Sequence, residues 1–474
     1  MLYINGEWKS SIKNKSITVY NPATLEKFGT VAYGGKEEAE EAIQAASAAF
    51  QDWKKTSAVE KSQYLRKIAD CLRDREEDLA VTITKEMGKP LKESLGEVKL
   101  AISYMDWYAE EAKRIYGETI PASSRDKRIL VLQEPVGVTG AVTPWNFPAA
   151  MVTRKIAPAL AAGCPVILKP ASATPLTAVK IFEAIHQAGL PKGVANLIIG
   201  PSNEVAQTLL DSKQVRKLTF TGSTAVGKKL MRDASNTVKK VSMELGGHAP
   251  FIVFEDADLE KAAEAAVASK FRNAGQTCVC TNRIYVQKEA AEEFTRLFAE
   301  KVNRLQIGNG MDDDTDIGPL INEESLDKVI EHVEDAKEKG GVVICGGSLA
   351  DMTAKGVFYQ PTVIQHANES MKIAREETFG PVVPIFTFET EEEAIERANH
   401  PEYGLASYCY TSDLNRAFRV MESLEYGIIG INDAMPTTAQ APFGGMKESG
   451  VGREGGKYGM MEYLEEKFVS LNIG

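Results

Sequence analysis

Two cysteines separated by one residue, Cys278 and Cys280 in "KFRNAGQTCVCTNR", stand where a chain could do covalent chemistry. Cys278 falls in a glycine-led turn just after an expected helix, and an exposed thiol near helix-derived positive charge can hold the thiolate that attacks an electrophilic carbon. The plain alternative is a buried, reduced thiol. That is the default for all six cysteines (71, 164, 278, 280, 345, 409), which are too few and too scattered to form a disulfide framework. Cys280, two residues on, faces away from Cys278 or serves as a second thiol.

A nucleophile needs a base and a sink for negative charge. In "SMELGGHAP", Glu244 ends an apolar strand before two glycines, where apolar surroundings would raise its carboxyl into the range of a general base; an exposed turn glutamate is the alternative. In "TPWNFPAAMVTRK", Pro148 suits the first turn of a helix, which puts Asn146 just ahead of the helix N-terminus, either as a simple cap or with its amide aimed at developing charge. Arg154 and Lys155 are neighbours on that helix, about 100° apart in azimuth, and are expected to face different groups. "TFTGSTAVGKKL" puts Gly222, Ser223 and Gly227 between a strand and a helix N-terminus, a place that favours phosphate, although the spacing departs from GxGxxG. Lys169 in "VILKPAS" stands at the carboxyl end of another strand, where open sheets bind ligands. The five histidines show no metal-ligand spacing, and no metal is expected.

Positioning these groups takes a large α/β framework. Helical periodicity covers 36 to 50, 57 to 87 and 90 to 116; from about 129 short apolar runs alternate with helices at 148 to 161, 174 to 188, 202 to 210 and 224 to 233, the pattern of a doubly wound parallel sheet. A second series, "FIVF", "RIYV", "VVPIF", "LASYCY" and "GIIGIND" with helices at 258 to 272 and 288 to 304, reads as a second α/β domain. The terminal "EKFVSLNIG" alternates Val469, Leu471 and Ile473 with polar neighbours, a strand without an obvious partner in its own domain that invites pairing with another subunit. At 474 residues the chain exceeds a single core, and 43% apolar residues suffice for packing. The net charge of −11, spread through interleaved Lys/Glu helices, argues against a nucleic-acid surface. With no apolar run of about 18 residues and no signal peptide, a cytoplasmic protein without membrane contact is expected.

"PWNFP", "LKPAS", "FTGSTAVG", "ELGG", "GQTC", "EETFGPV" and "PFGGMKESGVGREGG", in this order over nearly the whole chain, resemble the aldehyde dehydrogenase superfamily. The resemblance implies a Rossmann-like cofactor domain (1 to 124 and 144 to 246), a related α/β catalytic domain (247 to 457) and a β-strand oligomerisation arm (125 to 143 and 458 to 474), in a homodimer or homotetramer. It implies that Cys278 attacks the aldehyde, that Asn146 and the Cys278 N–H hold the oxyanion, that hydride passes to a nicotinamide, and that Glu244 activates the water that hydrolyses the thioester. Lys155 and Glu454 match a proton path to Glu244. Glu377 and Phe379 match the residues that hold the nicotinamide ribose and ring, Lys169 the adenosine-ribose contact, and Gly222, Ser223 and Gly227 the pyrophosphate turn; Thr143, Pro144, Trp145 and Leu245 complete the implied cofactor site.

Within that family "KFRNAGQTCVC" is most similar to succinate-semialdehyde dehydrogenases, with Arg154 and Arg272 as two cations that need an anion, supplied by a substrate carboxylate. Pairing with protein carboxylates is the alternative for both. Where those enzymes commonly offer serine, this chain has Thr437 and Thr438, whose extra methyls could shift preference toward glutarate semialdehyde. Ser172 stands where NAD-preferring members often carry glutamate, so NADP is the expected cofactor, with NAD as a second. Cys278 and Cys280 could form a reversible disulfide, against which a one-residue spacer imposes strain. A CoA-acylating enzyme and a non-enzymatic structural protein are the rival readings, and the presence of Glu244 favours hydrolysis.

Overall fold

The parallel strands Val138–Val142, Val166–Lys169, Ala195–Leu197, Val215–Thr221 and Lys240–Glu244 are near-continuous apolar runs because helices cover both faces of the sheet they form. In this computed structural model, which describes residues 1–351 and 355–474, they build an eight-stranded sheet. Its spatial order is Glu7–Lys9, Leu2–Ile4, Ala195–Leu197, Val166–Lys169, Val138–Val142, Val215–Thr221, Lys240–Glu244 and Gly450–Val451. Strand order therefore reverses between Val138–Val142 and Val215–Thr221, and a ligand crevice is expected outside their carboxyl ends, at Thr143 and Gly222.

The second sheet has seven strands: Val342–Cys345, Thr362–Gln365, Val382–Phe388, Thr281–Gln287, Ala249–Val253, Ala406–Tyr410 and Ile428–Ile431, with only the first antiparallel to its neighbour. Glu244 ends a strand of the first sheet and Ala249 begins one of the second, so the chain crosses between the sheets through "LGGH". In the other direction Gly450–Val451 returns to pair with Met243 and Glu244.

Three expectations need correction. The helix anticipated over 57 to 87 is two, Ala58–Arg73 and Glu76–Met87, broken where Arg75 takes a non-helical φ of −122° and ψ of 18° and its guanidinium reaches out to Glu183 and Gln187. The segment 125 to 143 is not one arm: Lys127–Pro135 joins a three-stranded sheet, whereas Val138–Val142 is central in the large sheet. The terminal strand Leu464–Asn472 does have a partner in its own chain, pairing antiparallel with Lys127–Pro135 over nine residues. Its other edge has no partner strand among the described residues, and Phe468 and Leu471 of the strand are 66% and 44% exposed.

Candidate active site

The nucleophile turn is held in an unfavourable backbone conformation. Asn273, Ala274 and Gly275 all have positive φ (53°, 53° and 74°), which for the two non-glycine residues persists only where surrounding contacts over-determine it. Those contacts are present: the Asn273 N–H donates to Glu93 Oε2 (2.8 Å), Asn273 Nδ2 donates to the carbonyls of Asn146 (3.2 Å) and Gln276 (3.1 Å), and Gln276 Nε2 donates to the Asn273 carbonyl (3.0 Å). The turn delivers Cys278, partly exposed, to a cleft of about 250 Å³ lined also by Asn146, Leu245, Glu377 and Phe379. Gly247 of "ELGG" permits this approach, since a Cβ there would lie 2.3 Å from the Cys278 carbonyl oxygen. Burial pushes the Cys278 thiol up to about 12 against the pull of the Arg154 charge, so its proton must be removed as it attacks. Cys280 is a free, buried thiol in a different cavity, near Lys270 Nζ (3.9 Å) and the Gly275 carbonyl (3.3 Å).

Asn146 lies ahead of the helix, as expected, but the helix begins at Ala150 and not at 148, so Asn146 sits in the turn before it. One hydrogen of its side-chain amide is donated to the Gln276 carbonyl (3.1 Å), which fixes the amide beside Cys278 in the cleft.

Glu244 is buried at its strand end, and neither carboxyl oxygen has a hydrogen-bond partner among the described residues. Burial first, then the charge of Glu454, pushes its pKa well above the usual carboxylate range, opposed by Arg154 and Lys155. Arg154 and Lys155 do not face different groups: Arg154 Nε is 2.5 Å from Glu454 Oε2, and Lys155 Nζ donates to Glu454 Oε1 and to Thr219 Oγ1 (3.0 Å). Both long side chains curl onto one carboxylate because a fully buried anion is stable only when it is paired. Burial alone would raise Glu454, yet Lys155 and Arg154 hold it below its ordinary value. Arg154 also stacks on Phe443, 4.0 Å from the ring centroid. Of the two arginines singled out, it is the one satisfied by protein.

Arg272 forms no ion pair among the described residues. Its guanidinium sits 4.8 Å from the centroid of Phe147 and lines a small cavity with Cys280, Tyr408 and Thr437. Thr438 is outside that cavity and bonds Gln440 instead.

At the sheet crevice, Pro144, Trp145, Gly222, Ser223, Leu245, Glu377 and Phe379 line the same cleft as Cys278. Trp145 meets Phe379 edge-on (5.7 Å, 87°), and Phe379 is held at φ 56°. Glu377 Oε1 accepts the Gly247 N–H (3.1 Å), and burial pushes its pKa up to about 7 despite that bond. Thr143 Oγ1 is buried without a partner among the described residues, and Ser223 precedes the helix Thr224–Ala234 without capping it, so backbone donors there remain free for a phosphate. Gly227, on the first turns of that helix, packs on Leu245. Lys169 Nζ donates to Ser202 Oγ (2.5 Å), and burial lowers its pKa to about 8. Ser172 is half-buried three residues further on. A dinucleotide fits this donor set: free amides for the pyrophosphate, an aromatic wall and Glu377 for the nicotinamide end, Lys169 for the adenosine end.

Lys328 also lines the cleft, and Lys89, Glu97, Glu93 and Ser202 bond to Asn146, Ala149, Asn273 and Lys169 behind it; none carries a motif, and the spacing of Glu93 and Glu97, one helical turn, is the only trace they leave in the sequence.

The profile of the aldehyde dehydrogenase family matches residues 8–469. A glutarate-semialdehyde dehydrogenase of Pseudomonas putida is 50% identical over 99% of this chain and 97% of its own length. A succinate-semialdehyde dehydrogenase of Escherichia coli, designated NADP(+), is likewise 50% identical over 99% and 97%. The crystal structure of a succinate-semialdehyde dehydrogenase from Burkholderia pseudomallei superposes with a TM-score of 0.98 at 46% identity, covering 100% of this chain and 98% of that one. With its nucleophile turn, buried carboxyl and dinucleotide crevice in one cleft, the chain belongs to the aldehyde dehydrogenase family.

Proposed function

We propose that the protein oxidises an aldehyde bearing a carboxylate at its far end, succinate semialdehyde first and glutarate semialdehyde as the alternative, to the corresponding acid with NADP. The observation that carries this reading is Arg272, a cation beside the nucleophile turn with no ion pair among the described residues, lining a cavity with Thr437. A guanidinium in such a place binds a carboxylate well. Arg154 is left out of the carboxylate site, because Glu454 already neutralises it. The names of the relatives at 50% identity support the same substrate class.

In this mechanism the Cys278 sulfur bonds to the aldehyde carbon while its proton passes to solvent at the partly exposed thiol. The carbonyl oxygen becomes an oxyanion held by the second hydrogen of Asn146 Nδ2 and by the Cys278 N–H. A nicotinamide held against Phe379 and Glu377 would supply the acceptor for the hydride that leaves that carbon. The acyl group then remains on Cys278 as a thioester. Glu244 removes a proton from water as the oxygen adds to the thioester carbon, the sulfur leaves, and the acid is released. Lys155, whose pKa burial lowers, and Glu454 offer the proton a way on from Glu244.

Initial rates of NADPH formation with succinate semialdehyde, glutarate semialdehyde and butyraldehyde test the substrate class. The two acids are expected to exceed butyraldehyde by about a hundredfold in kcat/KM, about 2.7 kcal/mol, and Arg272→Ala to lose that margin. Equal rates for butyraldehyde in the wild type would overturn the carboxylate reading.

Cofactor choice rests on Ser172 and Lys169. Serine at this position does not repel a 2′-phosphate, and Lys169 attracts one only while protonated. With its pKa lowered to about 8, the preference for NADP over NAD is expected to be full below that value and to fall as pH rises through it. A ratio of kcat/KM values for NADP and NAD that stays flat from neutral to alkaline pH would remove Lys169 from this role. The free edge of Leu464–Asn472, with its exposed Phe468 and Leu471, supports a homodimer or homotetramer built on that strand. No helix among the described residues is long and apolar enough to cross a membrane.

A further inference from the structure

Helix Leu91–Glu111 carries Glu93 and Glu97 one turn apart, so both carboxylates leave the same face. They grip two different segments of the active site. Glu97 Oε1 accepts the N–H groups of Ala149 (2.7 Å) and Ala150 (3.2 Å), where the helix that follows Asn146 begins. Its Oε2 is paired with Lys89 Nζ at 2.7 Å, and both side chains are fully buried. Lys89 Nζ also donates to the backbone carbonyl of Asn146 (2.7 Å) and lies 3.7 Å from the centroid of the Phe147 ring. Glu93 holds the N–H of Asn273 at the left-handed turn, and the Asn273 side chain reaches the same Asn146 carbonyl.

A buried ion pair is weak evidence of a stabilising role, because desolvating two charges offsets most of their attraction. What distinguishes this one is where its remaining hydrogen bonds go. All of them end on residues 146 to 150, the segment that carries the oxyanion amide. The Asn146 carbonyl takes an ammonium donor and an amide donor, which fixes the peptide plane, and the Gln276 carbonyl fixes the side chain. Every rotation that would swing the Asn146 amide away from Cys278 breaks one of these contacts.

We propose that the Lys89–Glu97 pair, braced by Glu93 on the other wall of the cleft, holds the Asn146 amide where the oxyanion develops, so that Lys89 and Glu97 are positioning residues for the reaction at Cys278. This rests on the reading that Cys278 and Asn146 oxidise an aldehyde; it does not depend on which aldehyde.

The experiment is a double-mutant cycle between the charge pair and the amide. The variant Lys89→Met/Glu97→Gln removes both charges together, leaves no buried ion unpaired and keeps an acceptor for the Ala149 N–H. It is expected to lower kcat about 10- to 100-fold with KM within about threefold of wild type, because the amide acts in the transition state and not in binding. Alkylation of Cys278 by iodoacetamide, which needs no oxyanion donor, should stay within about twofold of wild type. In an Asn146→Ala background the same pair of changes should cost less than about twofold more, since nothing remains to be positioned. A loss that is equally large in the Asn146→Ala background, or an alkylation rate that falls with kcat, overturns the proposal in favour of a structural pair. If the charge-free variant does not fold, Lys89→Arg, which keeps the charge but shifts the donor at the Asn146 carbonyl, is read in the same cycle with the same two outcomes. The wild-type rates, scored on whichever aldehyde turns over fastest, test the underlying chemistry separately.

Discussion

Glu244→Gln is expected to turn over once. Mixed with NADP and succinate semialdehyde, it should release a burst approaching one NADPH per Cys278 and then slow to a steady rate about 10²- to 10⁴-fold below wild type. Glutamine cannot take a proton from water, so the thioester on Cys278 persists. The site makes this base unusually effective and unusually exposed to loss. Both of its oxygens are buried without hydrogen-bond partners among the described residues, and the Glu454 charge adds to the effect of burial, so its pKa lies well above the ordinary carboxylate range. For the wild type the sign follows: Glu244 works as a base when deprotonated, and the rate should fall as pH drops through that raised pKa, well before ordinary carboxylates protonate. The slow steady rate of Glu244→Gln should lack this limb. A variant that shows the burst and then recovers full rate on addition of CoA would point to acyl transfer instead of hydrolysis.

Cys278→Ala should remove aldehyde oxidation altogether, by roughly 10⁴-fold or more, since no other group can carry the acyl intermediate. Cys280→Ala is the informative control. Its thiol shares the small cavity of Arg272 and Thr437 and not the cleft of Cys278, and it is held toward Lys270 and the Gly275 carbonyl, so activity within about threefold of wild type is expected from the small change to Ala. If Cys278→Ala kept its activity while Cys280→Ala lost it, the assignment of nucleophile would be reversed. NADP binding by Cys278→Ala, measured by fluorescence titration, should be retained, because the amides and side chains at the crevice do not depend on the thiol.

Much of this site was legible in the chain before any fold was drawn. The glycine-led turn of "NAGQTC" is a local demand, read from residue type alone, and Gly275 does take positive φ there, whereas the reason for Gly247, a Cys278 carbonyl too close for a Cβ, came only with the fold. The parallel strands were legible because sheets covered on both faces are built from uninterrupted apolar runs. What these readings could not supply was allocation. Val138–Val142 reads as half of a hairpin until the large sheet claims it, since its apolar pattern satisfies either partner.

The residues of the chain by themselves pointed to the proposed nucleophile, base and dinucleotide turn, because each is marked by a side-chain type within a few positions of a turn or strand end. The tertiary structure alone decided which arginine is free. Arg154 and Arg272 carry the same charge, but Glu454, 300 positions from Arg154, neutralises only one of them. It alone also brought Lys89 to Asn146 across 57 positions and Glu93 to Asn273 across 180. Charge pairing depends on distance in space, and a buried ion is satisfied by whichever segment the fold brings beside it.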